Sequence, residues 1–352
     1  MKKLKKSTVN NIIAFGIVII AFIVCQSMIA SGAMKRSLKG QLVPICVYIV
    51  MAVSLNLVVG ISGELSLGHA GFMSVGAFSG IIAAAWLKAA IHVDNETLRL
   101  VLAMIVGGVF AGVAGVLIGI PVLRLRGDYL AIVTLAFGEI IRNVLNCLYF
   151  SLDGGRLYVS FNDPSIPGTL LVNGPNGAKD VDKIATFPMG FVLILFTLIV
   201  VMNLINSRSG RAIMATRDNR IAAEAMGINV TKYKMMAFVT AAVLAGMAGA
   251  LYGLNFSTVA ASKFKFDTSI LVLVFVVLGG IGNIWGSIIA ATLLTVLPEL
   301  LRAFADYRML VYAIVLILVM LVTNNPMLRS LFSQLVRRGD RGINTQVGGA
   351  DE

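Results

Sequence analysis

The chain has 352 residues, of which 58% are hydrophobic and only 13% are charged, and its mean hydropathy is +0.90. Ordinary soluble domains carry roughly 25% charged residues, so the composition excludes a soluble enzyme and predicts a polytopic membrane protein. The net charge of +12 does not indicate nucleic-acid binding, because the basic residues cluster in short loops between apolar runs, where they set membrane topology.

The N-terminal segment begins with four lysines in the first six residues and continues into an apolar run near 12–30. A basic head before an apolar run resembles a secretory signal. A run of about 19 residues, however, is long for a cleaved signal and sufficient to cross a bilayer. We therefore favour an uncleaved first membrane helix, with a cleaved signal as the alternative.

The apolar runs along the chain predict an all-α, polytopic helical bundle with about ten membrane helices. We place these helices near 12–30, 41–60, 66–87, 99–121, 129–150, 187–206, 236–255, 269–282, 283–301 and 308–323. An even number of crossings puts both termini on one side, and the basic N-terminus indicates that this side is the cytoplasm. The run 269–282 is short and enters the glycine-rich stretch LGGIGNIWG (278–286), so a re-entrant pair with 283–301 is the alternative.

Two polar segments interrupt the membrane domain, which is expected to cover 1–325. Segment 151–186 is rich in Gly, Pro, Asn and Asp, and we expect it outside the cell as a small cap or a mobile connector. Segment 207–235 is expected in the cytoplasm, with a short helix that ends near Gly227. The polar tail 326–352 is expected to be cytoplasmic and partly disordered.

Glycines at helical spacing, such as Gly76 and Gly80, predict helices that pack closely, since small residues let backbones approach each other in a membrane. Segments 109–119 and 243–253 share the pattern V-x-A-G-x-A-G-x-x-x-G and run in opposite directions in the predicted topology. This similarity indicates an inverted repeat, a common device of transporters, or two helices that acquired small residues independently.

Four polar side chains are candidates for lining the translocation pathway or its gate. Glu64 and His69 lie at the inner mouth of the third predicted helix, where the alternative role is interfacial anchoring or capping of that helix. Glu139 and Arg142 are three residues apart on one helix, so they face the same side and can form an ion pair. A purely structural pair is one reading, and a polar lining of the pathway or of a partner interface is the other.

Segment 207–235 is the strongest functional candidate, because membrane packing does not require a basic, helix-forming insert in the cytoplasm. Such a segment suits the docking of a soluble partner, and a solvated connector that carries topology charges is the alternative. The chain has no G-x-x-x-x-G-K-[ST] motif, so it lacks the usual phosphate-binding loop for ATP. The H-E-x-x-H and G-x-S-x-G motifs are missing as well, and we predict neither a catalytic nor a metal site.

The resemblance to a known family rests on four stretches of the sequence, 56–78, 122–146, 219–253 and 269–291. These stretches resemble the inner-membrane permeases of branched-chain amino acid ABC importers. Within the second, LRLRGDYLAIVTLAFGE is similar to the M-type rather than the H-type subunit. The resemblance implies a multi-pass subunit in the cell membrane that forms the pathway with a second, related permease. It also implies two cytoplasmic ATP-binding subunits, which hydrolyse the ATP in place of any cofactor in this chain, and an extracytoplasmic binding protein that delivers Leu, Ile or Val.

The resemblance further implies that 207–235 is the loop that ABC permeases insert into a groove of the ATPase, whose general pattern is E-A-A-x-x-x-G. Ala222, Ala223 and Gly227 match that pattern, whereas Ile221 occupies the Glu position and Glu224 falls elsewhere. With the basic side chains of the loop, the predicted coupling site comprises Arg211, Arg217, Arg220, Ala222, Ala223, Glu224, Gly227 and Lys234.

Three other functions remain open from the sequence. Related permeases for urea, amides or other amino acids would show a similar pattern. An ion-driven secondary carrier would need a membrane-embedded carboxylate relay, for which Glu139 is the one mid-sequence candidate. A structural or sensory membrane scaffold is the third alternative.

Overall fold

The computed structural model describes residues 36–125, 127–163 and 166–301, and also positions 16, 22–23, 25–29, 31, 310, 313–314 and 317. The chain divides into two compact units, Met1–Val296 and Leu297–Glu352. Most of the predicted helices 12–30 and 308–323 and the whole tail 326–352 lie outside the described residues.

Ten α-helices have both ends in the described part, and in chain order they are α1 Arg36–Asn56, α2 His69–Ala90, α3 Glu96–Val122, α4 Asp128–Asn146, α5 Phe187–Asn206, α6 Arg208–Asp218, α7 Arg220–Ala225, α8 Val230–Gly253, α9 Phe266–Gly279 and α10 Ile284–Leu300. Six of them, α1 to α5 and α8, are long and apolar enough to cross a membrane. The polytopic helical fold is therefore confirmed, but the count of about ten membrane helices is not.

Helices α2, α3 and α8 form the centre of the bundle and meet through small residues. Gly76 faces Gly246 so closely that a Cβ at Gly76 would overlap the Gly246 backbone, and Gly80 faces Ala250 one turn further along. This rising register shows that α2 and α8 run parallel. Gly107 of α3 contacts both helices at the level of Gly76. The glycines thus serve the close backbone packing that the sequence predicts.

The two similar segments, 109–119 of α3 and 243–253 of α8, lie on helices that pack against each other in opposite directions. Gly112 faces Val243 near the middle of the seam, whereas Gly119 faces Met235, closer to the start of α8. The opposite directions match the predicted topology. The inverted repeat itself stays a prediction.

The prediction of an all-α chain is wrong in one place. Strands β1 Leu148–Asp153, β2 Arg156–Phe161 and β3 Thr169–Asn173 form an antiparallel sheet in the order β2-β1-β3. The predicted helix 129–150 ends at Asn146, and the aliphatic and aromatic residues that follow it, Leu148, Tyr149 and Phe150, favour a strand. Gly154 and Gly155, both with positive φ, make the two-residue hairpin turn between β1 and β2.

The segment after the sheet ties it to the helices, so that 151–186 forms a cap on one end of the bundle. Ala178 and Val259 exchange backbone hydrogen bonds of 2.9 and 3.0 Å, and Val181 N donates to Ser257 O at 3.0 Å. We call this end of the bundle the sheet end. The opposite end, which carries 57–68 and 207–229, is the loop end.

Candidate functional site

At the loop end, α1 continues into a single turn of π-helix, Leu57–Ile61, which we call the π-turn. Gly60 in this turn packs so tightly that a Cβ would overlap Asn56 Oδ1 and the backbone of Gly282. Single π-helical turns inside or beside α-helices are frequent at functional sites. The glycine is required here because two backbone segments come into direct contact.

Asn56 joins the π-turn to the break between α9 and α10. Its side-chain oxygen accepts a hydrogen bond from Gly282 N at 2.9 Å, and its side-chain nitrogen donates to Ser287 Oγ at 3.0 Å. Gly280 and Gly282 both have positive φ in the break. A buried amide that uses both ends fixes this junction more firmly than apolar packing alone would.

Helices α9 and α10 meet at this break, where Gly279 and Gly286 touch backbone to backbone. They have 14 and 17 residues, which gives about 21 and 26 Å at 1.5 Å per residue. Both lengths fall short of a hydrocarbon core about 30 Å thick. The re-entrant arrangement therefore stays open as a prediction for these helices.

Arg217, near the end of α6, connects the predicted coupling segment with the π-turn. Its Nη1 donates to the carbonyl oxygen of Gly60 at 2.6 Å. Asp218 Oδ1 accepts from Nε and Nη2 of the same guanidinium, each at 3.2 Å, and so orients it. This hydrogen bond joins α6 to the turn that ends α1.

Glu64 lies in the irregular segment 62–68 and pairs with Lys234 in the first part of α8. The two side chains are only 11% and 12% exposed. A buried ion pair of this kind holds its two backbones in register, because separation would leave a charge without a partner in a low-dielectric interior. The pair thus locks segment 62–68, which leads into α2, to the base of α8.

His69 is the first residue of α2 and is buried, with its Nε2 2.8 Å from Ser54 Oγ of α1. The backbone N–H of Ala70 is bound by Ser269 Oγ of α9 at 3.1 Å. Gly68, the residue at the N-cap, has no side chain that could cap the helix. The start of α2 is therefore satisfied by neighbouring helices, and neither Glu64 nor His69 forms the cap that one reading of the sequence expected.

Glu139 and Arg142 of α4 form the ion pair that their spacing predicts, since Oε2 lies 2.7 Å from both Nε and Nη2. The side chains are 33% and 23% exposed. In the described part of the chain they form no hydrogen bond with Glu64 or His69, so the four gate candidates fall into three separate places. A pathway role for the pair remains a prediction.

The coupling segment contains two short helices, α6 and α7, where the sequence predicted one. Ser207 Oγ accepts from Gly210 N to begin α6, and Asn219 Oδ1 accepts from Ala222 N to begin α7. The break arises because Asn219 is a strong N-cap residue within an otherwise helix-forming run. The predicted end near Gly227 is confirmed: α7 ends at Ala225, and Gly227 has a φ of 78°.

Most of the other predicted coupling residues lie in α7, and Arg211 lies in α6. Arg220 and Glu224 pair across one helical turn at 2.8 Å, and Arg211 Nη1 donates to Asn206 O at 3.4 Å. Ala223 is buried against the bundle, whereas Ala222 faces outward.

Two large apolar side chains, Ile221 and Met226, stand out from α7 and its C-terminal end, with exposed fractions of 79% and 82%. They form an apolar projection among charged residues. Ile221 occupies the glutamate position of the E-A-A-x-x-x-G pattern, so an exposed apolar side chain stands there.

Comparison with known proteins identifies the family. The family described as "Branched-chain amino acid transport system / permease component" matches residues 37–320. The high-affinity branched-chain amino acid permease proteins LivM of Salmonella typhimurium and Escherichia coli are each 33% identical over 309 residues, which cover 78% of this chain and 66% of those proteins. LivH of Escherichia coli is 35% identical over 118 residues, 33% of this chain and 38% of LivH. No solved structure gave a significant match. The chain therefore belongs to the branched-chain amino acid transport system permease family.

Proposed function

We propose that this chain is a membrane subunit of an ABC importer that carries branched-chain amino acids and is driven by separate ATPase subunits. The observation that carries the proposal is the connection from α6 through Arg217 to the π-turn. An importer needs an element that receives motion from a soluble ATPase and passes it to membrane helices. The Arg217–Gly60 hydrogen bond at 2.6 Å provides such a path within this chain.

The proposed assembly contains this chain, a related second permease, two ATPases and an extracytoplasmic binding protein. The loop end faces the cytoplasm, as the basic N-terminus and the basic segment 207–235 favour. In this orientation, the projection of Ile221 and Met226 enters the ATPase groove. The sheet end then faces outward and receives the binding protein. The family membership and the similarity to LivM support branched-chain amino acids as cargo.

Inside the membrane, we propose that the motion continues from the π-turn to the base of α2 and to the break between α9 and α10. Gly60 contacts Gly282 directly, and Asn56 binds both Gly282 and Ser287. The Glu64–Lys234 pair gives a second connection from segment 62–68 to α8. Rotation of α6 would thus shift two groups of helices together and open or close the loop end.

An ion-driven carrier is supported less well by the same geometry. Such a carrier needs a carboxylate that gains and loses a proton or cation during transport. The one mid-sequence candidate, Glu139, is held by Arg142 through two contacts of 2.7 Å. This carboxylate is therefore already engaged in an ion pair and is poorly placed to serve as an exchanging group.

Reconstitution of the purified assembly in proteoliposomes tests the proposal. We expect leucine uptake that requires ATP, both permeases and the binding protein, and that persists when ion gradients are collapsed. ATP-independent uptake by this chain alone under a proton or sodium gradient would establish the carrier instead.

A further inference from the structure

A buried arginine at the sheet end is not explained by the coupling site. Arg99 lies in the first turn of α3, and its side chain is 5% exposed. Nη2 is 3.2 Å from Asp182 Oδ2, and Lys88 Nζ binds the same oxygen at 2.8 Å. Two cations therefore share one carboxylate, and Nε of Arg99 has no hydrogen-bond partner among the described residues.

This arrangement leaves an unused donor at a buried position. A buried charge is costly unless it is paired and hydrogen-bonded. A guanidinium binds a carboxylate best through two parallel N–H donors, and here only one of them reaches Asp182. Arg99 is thus suited to a second carboxylate in addition to that of Asp182.

Arg99 lines a cavity of about 210 Å³ that carries both signs of charge. It is lined as well by Lys88, Lys183, Asp94, Glu96, Asp182 and Ile184, and we call it the charged cavity. The acids Asp94 and Glu96 offer oxygens to an ammonium group, while Arg99 and Lys88 offer donors to a carboxylate. The free ligand that carries both groups on one carbon atom is an α-amino acid.

A second cavity of about 210 Å³ adjoins the first and shares Lys88 and Asp182 with it. Much of its wall is apolar, formed by Ile81, Ala84 and Ala85 of α2 together with Leu152, Leu171 and Leu254. We call it the aliphatic cavity. Ligand sites combine a mostly apolar wall with a few polar groups that fix orientation, and the two cavities together have this composition.

We propose that the two cavities form one entry site for a free branched-chain amino acid. The carboxylate binds Arg99 and Lys88, the ammonium faces Asp94 and Glu96, and the aliphatic side chain enters the aliphatic cavity. This inference rests on the proposed function, because it takes that cargo and an outward-facing sheet end as given. It makes the permease itself selective, in addition to the binding protein.

Binding of radiolabelled leucine to the purified assembly in lipid nanodiscs, without the binding protein, tests the entry site. We expect saturable binding that Arg99→Gln weakens at least tenfold and that Arg99→Lys weakens less. Arg156→Gln removes an exposed positive charge at the same end, outside both cavities, and should bind as the wild type does. Isocaproate, which lacks the ammonium, and isoamylamine, which lacks the carboxylate, should each compete at least tenfold less well than leucine.

The aliphatic cavity has its own test, which does not depend on the folding of an Arg99 variant. Ala85→Phe fills this cavity and should weaken leucine binding at least tenfold. The affinity of the assembly for glycine should stay unchanged. Wild-type affinity in Arg99→Gln and Ala85→Phe, or competition by either analogue as strong as that of leucine, would overturn the entry site. ATP-driven leucine uptake by the wild-type assembly without such binding refutes the entry site and leaves the proposed function intact. Arg99-dependent binding without uptake would refute the function and retain the site.

Discussion

Arg217 Nη1 and the carbonyl oxygen of Gly60 lie 2.6 Å apart, although the two residues are far apart in sequence. The donor belongs to a short surface helix, and the acceptor belongs to the turn that ends a membrane helix. Gly60 in turn touches Gly282 in the break between α9 and α10. One hydrogen bond therefore connects the coupling segment to two separate parts of the membrane bundle.

Replacement of Arg217 tests this connection. Arg217→Gln removes a charge-assisted hydrogen bond worth roughly 1.5–3 kcal/mol, so we expect uptake to fall at least tenfold while ATP hydrolysis by the assembly continues. Arg208→Gln, an exposed site at the start of the same helix, is the control and should leave uptake unchanged. Tightly coupled uptake and hydrolysis in Arg217→Gln would show that the bond transmits nothing.

Gly60→Ala tests the contact between the π-turn and the helix break. The added Cβ would lie 2.7 Å from Gly282 Cα and would also overlap Asn56, so the turn must shift. We expect transport to be lost and the apparent free energy of unfolding in detergent to fall by about 1–3 kcal/mol. At Gly40, in α1, an added Cβ meets no atom within 4 Å. Gly40→Ala should therefore transport normally, and equal behaviour of the two variants would contradict the account.

A double-mutant cycle tests the Glu64–Lys234 pair. Glu64→Gln alone leaves a buried, unpaired ammonium, and breaking such pairs typically costs about 3–5 kcal/mol. Adding Lys234→Met removes the unpaired charge and should recover much of that loss. Glu224→Gln in the more exposed Arg220–Glu224 pair should change stability by less than about 1 kcal/mol. Additive losses at Glu64 and Lys234 would mean that the two side chains act independently.

Two glycines in the middle of helices give a matched test of the packing. At Gly246 of α8 an added Cβ would lie 2.6 Å from Gly107 O, whereas at Gly138 of α4 the nearest atom is 3.4 Å away. Gly246→Ala should therefore lower the melting temperature of the assembly. Gly138→Ala should leave that temperature unchanged or raise it, because Ala favours a helix over Gly by about 1 kcal/mol. A larger fall in melting temperature for Gly138→Ala than for Gly246→Ala would contradict close packing at Gly246.

The sequence predicted the six long apolar helices of the described part because each of these runs has a length that the bilayer sets. The predicted 187–206 coincides with α5, and 66–87 differs from α2 by three residues at each end. The sheet was missed because the search for apolar runs extended one helix through 147–150. There Cys147, Leu148, Tyr149 and Phe150 continue the apolar run, without a Gly or Pro to mark the end of the helix.

Segment 207–235 was predicted from its charges to be a coupling segment. The residues that it contacts elsewhere in the chain were not predicted. Arg217 and Lys234 were recognised as basic residues of a loop, whereas their acceptors, Gly60 O and Glu64, are brought close only by folding. Asn56 gave a signal that went unused, namely a buried amide at the end of an apolar run. A backbone carbonyl such as that of Gly60 has no sequence signature, so the central contact could be seen only in the structure.

The central claim is that α7 docks on an ATPase in the cytoplasm, and cysteine labelling at Ile221 and Met226 tests it most directly. Single cysteines there, in a chain without its native cysteines, should stay unlabelled when a membrane-impermeant maleimide is added to intact cells. In the isolated assembly, the same cysteines should cross-link to the ATPase subunit. Labelling of either cysteine from outside the cell, or the absence of cross-links to the ATPase at both positions, would contradict the account.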